Sequence, residues 1–149
     1  MSADTIAGAL RQELERGRRG VVAPYVSGFT PWGPAQTVEV ASPGIVWVST
    51  SGHGGVWVAP HLVAGLAIRP PSNLCGIFEG AGGSAWYEED CAWAIVQLAY
   101  PGKVALLSPR GARSVEEVQR EWQDTAEKMA AHYYPEALGD LFTHRGSRA

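Results

Sequence analysis

The sequence predicts an α+β protein: a single domain with a small, mostly antiparallel sheet packed against three or four helices. Three observations carry this. TVEVA, GIVWVST and GVWVAP are Val- and Trp-rich runs separated by Gly, Ser and Pro, the punctuation of short strands joined by hairpins. From Ser114 onward, Val115, Val118, Trp122, Ala126, Met129 and Tyr133 recur at helical spacing, which strands do not share. The chain has 149 residues, and domains commonly run to roughly 100–200.

Taken in order, Ile6, Leu10 and Leu14 lie four apart between Asp4 and Gly17 and predict a short amphipathic helix. VVAPYVSGFTPWGP is interrupted by Pro24, Gly28, Pro31, Gly33 and Pro34. It reads as one short strand and a structured loop anchored by Phe29 and Trp32. The three Val- and Trp-rich runs follow, with GHGG at the turn of a predicted hairpin. The run 45–48 does not alternate cleanly, so the sheet is expected to be covered on both faces.

Pro60 suits the first turn of a short helix through PHLVAGL. RPPSNLCGIFEGAGGS reads as a loop with a brief strand at Cys75–Phe78. YEEDCAWAIVQLAY is expected to be helical. Its acids would lie in the first turn, where the dipole favours them, with Cys91, Ala94, Ile95 and Leu98 facing inward. KVALLS is a candidate last strand. Ser114 and Glu117 make an S-x-x-E capping box for the long helix, Pro135 ends it, and PEALGDLF offers one more short helix. The expected division is a helix and connector at 1–29, a core at 30–101, a strand and helices at 102–142, and a tail at 143–149.

Charge narrows the function. From Gly20 to Gly102 the only Lys or Arg is Arg69, set against Glu39, Glu79, Glu88, Glu89 and Asp90. Duplex recognition needs a basic face that displaces counterions, so no nucleic-acid partner is expected. An acidic centre suits a small ligand or a basic protein surface. Cys75 and Cys91 form no CxxC and no disulfide framework. MSADTIAGALRQELERGRR lacks the apolar stretch of a signal peptide, and no run reaches the ~18 apolar residues of a membrane span. A cytoplasmic protein with reduced thiols and no membrane partner is expected.

Two polar clusters carry the candidate chemistry. His53 sits among three glycines, which permit positive φ and close approach; exposed N–H groups in such a turn can form an anion nest. Glu88, Glu89 and Asp90 lie together before Cys91. If they open a helix they point about 100° apart, so at most two meet His53. The expected site is His53, Gly54 and Gly55 facing Glu88, Glu89 and Asp90, with Trp86 closing one side. Ordinary roles stand beside this: bracing a loop for His53, dipole stabilisation for the acids.

Chemical readings follow from the same residues. His53 with Cys91 would make an imidazole–thiol pair, although three neighbouring carboxylates raise a thiol's pKa and Cys91 falls on the inward stripe. His53 with Glu88 or Asp90 would make an acid–base pair. Those residues would also make an incomplete metal site, since catalytic zinc usually takes three protein ligands and His61, His132 and His144 lie at no ligand spacing; neither a metal nor a cofactor is expected. EGAGGS lacks a P-loop Lys and precedes three carboxylates, so it is no phosphate loop. Ser49, Thr50 and Ser51 lack a nucleophile elbow. Tyr133, Tyr134, Leu138, Leu141 and Phe142 form a candidate homodimer surface.

TPWG at 30–33, WVSTSGHGG at 47–55 and WYEEDCAWAIV at 86–96 together resemble a family of uncharacterised domains carried by bacteriophages, plasmids and other mobile elements. In that family a T-x-[SG]-H-G-G turn precedes a Y-E-E-D-C-x-[WY]-A segment. The resemblance spans residues 30 to 101. It implies a mobile-element origin and places His53, Glu88, Glu89 and Asp90 in a shared motif. The expected function is binding of a host protein, such as a defence component, or of a small ligand; the alternative is a small hydrolase using His53 with Glu88, Asp90 or Cys91.

Overall fold

The computed structural model describes residues 29–106 and 113–139. The N-terminal helix, the residues before Phe29 and the 143–149 tail lie outside them. Chain order is β1 (Phe29–Thr30), β2 (Gly33–Pro34), β3 (Thr37–Ser42), β4 (Ile45–Ser49), β5 (Gly54–Val58) and α1 (Pro60–Val63). Then come β6 (Ile77–Glu79), a 3-10 turn (Ala81–Gly83), β7 (Ala85–Glu88), α2 (Trp93–Ala99) and α3 (Val115–Tyr133). The α+β class holds: the main sheet is five-stranded, in the order β3-β4-β5-β7-β6, and every neighbouring pair is antiparallel.

β5 is the central strand and all five of its residues are buried. Alternation along each strand divides the core. Val56, Val58, Ala85 and Tyr87 face a layer made by α2 and α3, while Val46, Val48, Trp57 and Trp86 form a second cluster with Trp32 packed against it. Apolar side chains thus bury on both faces, as the poorly alternating run 45–48 predicted. β1 and β2 form a separate two-residue ribbon that carries Trp32 over this second face, edge-on to Trp86 at 5.7 Å and to Phe78 at 5.8 Å.

α2 is buried from Trp93 through Gln97, so it packs on more than one side and not along a single stripe. Burying the Gln97 amide needs a partner, and its Nε2 donates to Gln123 Oε1 of α3 at 2.9 Å. Ser114 caps α3 as expected, its hydroxyl accepting from the Glu117 N–H at 3.1 Å. The buried face of α3 differs from the sequence expectation. Ala126 and Ala130 are buried, whereas Val115 and Tyr133 are 54% and 52% exposed. Small alanines let α3 approach α2 closely.

Two further elements are corrected. KVALLS forms no strand over residues 103–106. The Lys103 and Val104 carbonyls instead accept from Ser42 Oγ at 2.7 Å and Trp47 Nε1 at 2.8 Å, so side chains tether this segment where a backbone ladder was expected. The brief strand of the 69–84 loop is Ile77–Glu79, not Cys75–Phe78, and pairs with β7. Tyr134 and Leu138 lie in the core at 2% and 5% exposure. They are therefore not part of an open patch; Leu141 and Phe142 lie outside the described residues. Residues 136–139 are helical. No described helix is long and apolar enough to cross a membrane.

Candidate functional site at the β4–β5 hairpin tip

The tip is a four-residue loop, Thr50 to His53, closed from Thr50 N–H to His53 C=O at 2.8 Å. The Thr50 hydroxyl reinforces it, donating to His53 C=O at 2.7 Å and accepting from His53 N–H at 3.2 Å. This short side-chain-to-backbone loop fixes the His53 backbone. The imidazole itself stays 59% exposed.

The glycines serve one of the two expected purposes, close approach, and not the other. None of Gly52, Gly54 and Gly55 has positive φ, so the turn needs no left-handed residue and builds no nest of that kind. Gly54 and Gly55 belong to β5. A Cβ on Gly54 would lie 2.6 Å from Val48 O, and one on Gly55 2.3 Å from Tyr87 O and 2.5 Å from the Trp32 ring. Close approach of neighbouring chain is the whole requirement.

The acidic cluster does not open a helix. Glu88 ends β7, residues 89–92 form a turn, and α2 starts at Trp93 with no acid in its first turn. Strand pairing overrides the helical appearance, since Tyr87 and Trp86 are core residues of a ladder with β5 and β6. The backbone around Glu88 is tied on both sides: its N–H donates to Gly76 C=O at 2.8 Å, and Glu89 N–H donates to Gly54 C=O at 2.9 Å.

Strand register then selects the acids. Gly55 is the partner of Glu88, which sets Glu88 beside the hairpin tip, and Glu88 Oε1 lies 3.7 Å from His53 Nδ1. Asp90, two residues on, joins them. One donor atom from each of His53, Glu88 and Asp90 lies within 4.8 Å of the others. Glu89 is exposed and lines a cleft of about 460 Å³ with Trp47, Trp93, Trp122 and Met129 on the helix side. The convergence expected of the sequence is therefore present for two of the three acids.

Two expected members stand apart. Trp86 is 2% exposed and forms part of the second core cluster, so it closes no pocket wall. Trp32 is the aromatic residue that lies against Gly55. Cys91 is 7% exposed, and its sulfur accepts from the Tyr134 hydroxyl at 3.1 Å. Burial pushes the thiol's pKa up; the Tyr134 hydrogen bond opposes this, and the Glu88 charge adds to it. A protonated, buried thiol is a poor nucleophile. His53 is paired with Glu88, not with Cys91.

The tryptophan cleft was not legible in the sequence. Trp122 contacts Trp47 and Trp93 edge-on, at centroid distances of 5.7 and 5.4 Å. The three residues come from β4, α2 and α3, and nothing in their spacing joins them.

Fold and site together define a small α+β domain bearing an imidazole–carboxylate cluster at a hairpin tip. The chain belongs to the family described as Domain of unknown function (DUF7007), whose model matches residues 26–148. The matched span covers residues 30 to 101 and runs on through α3. No curated protein and no solved structure matches the chain.

Proposed function

We propose that the protein is a binding module, an accessory domain of a phage or other mobile element acting in the host cytoplasm. It engages a host protein or a small ligand through His53, Glu88 and Asp90. One observation carries the reading: the His53 ring is 59% exposed and, among the described residues, paired only with Glu88, across 3.7 Å. The loop beneath it is closed by Thr50 and backbone groups, so the ring contributes little to the architecture. An exposed side chain on a rigid mount beside partly sheltered acid is arranged for contact with something else. The acidic surroundings favour a cationic group.

The test is capture from host lysate with wild-type and His53→Ala baits of equal melting temperature. A partner retained by the first and lost by the second supports the reading; identical capture profiles overturn it. The hydrolase reading keeps one supporting observation, the approach of His53 to Glu88, since acid–base pairs are often long before substrate binds. It has lost Cys91 to burial. Turnover abolished by His53→Ala would favour it over binding.

A further inference from the structure

We infer that His53, Glu88 and Asp90 bind a divalent first-row transition-metal ion. The inference rests on the hairpin tip being the binding site and names the cation that it takes.

Spacing is the first argument. Donors at about 2.0–2.2 Å from one ion stand roughly 3–3.6 Å apart when adjacent and about 4.0–4.4 Å when opposite. His53 Nδ1 and Glu88 Oε1 are 3.7 Å apart, beyond a hydrogen bond and close to the separation of adjacent ligands. The whole set spans no more than 4.8 Å, so small side-chain rotations bring all three onto one centre.

Glu88 supplies a second, separate argument. Its side chain is only 16% exposed, and among the described residues it has no hydrogen bond and the distant His53 ring as its one ion-pair partner. Two carboxylates this close together gain from a nearby cation. A dication between Glu88, Asp90 and the imidazole offsets both negative charges.

The mount is also preorganised. Glu88 is held between β5 and the Gly76 carbonyl, and the His53 backbone by Thr50, so little conformational freedom is lost on loading. One imidazole with two carboxylates suits Zn²⁺, Mn²⁺, Fe²⁺ or Co²⁺ better than Mg²⁺ or Ca²⁺, which favour all-oxygen shells. Three protein ligands leave coordination positions open towards solvent. There a donor from a partner or small ligand would complete the shell.

Co²⁺ is the probe, titrated into purified full-length protein and followed by its visible d–d absorption. One saturable equivalent is expected, with affinity lowered at least about tenfold in His53→Ala, Glu88→Gln and Asp90→Asn. His132→Ala, on the exposed part of α3, controls for surface histidines and should leave binding unchanged. Circular dichroism of the metal-free variants checks that each is folded. Absence of a saturable band in the wild type, or its persistence in His53→Ala, overturns the inference. Capture repeated with a chelator separates the two ideas: His53-dependent capture without any Co²⁺ binding retains the binding reading and removes the metal.

Discussion

The Tyr134 hydroxyl donates to the Cys91 sulfur at 3.1 Å, and the same hydroxyl bonds the Cys75 carbonyl. One side chain just beyond α3 thereby ties the loop before β6 to the turn before α2, directly behind the acidic cluster. Tyr134→Phe keeps the buried ring and removes the donor. It should cost about 1–2 kcal/mol, read as a lower urea midpoint with an unchanged slope.

Cys91 should impose a pH dependence at the alkaline end. Its pKa is raised in the folded state, chiefly by burial, so above about pH 8.5 the unfolded thiol ionises while the folded one keeps its proton. The unfolded state then binds fewer protons and stability falls as pH rises. Cys91→Ala should flatten that decline between about pH 8 and 9.5. Without denaturant, an alkylating reagent should modify exposed Cys75 and spare Cys91.

Gly55 and Gly52 should respond oppositely to alanine. A Cβ at Gly55 meets the Tyr87 carbonyl and the Trp32 ring, whereas one at Gly52 meets nothing within 4 Å. Gly55→Ala forces two neighbours apart in the central ladder and should cost about 2 kcal/mol or more. Gly52→Ala should stay within about 0.5 kcal/mol of wild type. Parallel thermal melts decide this.

His53→Ala should leave the melting temperature almost unchanged, within about 0.5 kcal/mol, because only a long ion pair to Glu88 is lost. A loss of 1–3 kcal/mol would instead assign the ring to stitching the hairpin to β7. That result would remove the motive for a binding role.

Trp93 is 7% exposed and stacks obliquely against Trp47 and edge-on against Trp122. Its truncation to alanine should cost about 3–5 kcal/mol. Loss of near-ultraviolet dichroism from the tryptophan group should accompany the loss of stability.

Elements whose signal is local were readable from the sequence. The capped helix from Ser114, the β4–β5 hairpin and the two-sided core of the 45–48 run all follow from propensity, capping chemistry and alternation among near neighbours. The meeting of His53 with the acids was also anticipated, but for the wrong reason. In isolation, three carboxylates before an apolar run look like a helix start. Pairing of β7 with β5 set Glu88, its last residue, beside His53, and the turn that follows brought Asp90 to the same cluster. The buried places of Trp86, Tyr134 and Leu138 depended likewise on which surfaces cover them. Sequence alone determined which segments had regular structure to offer; the tertiary structure decided which side chains converge, because register and burial arise from partners 27 to 59 residues away.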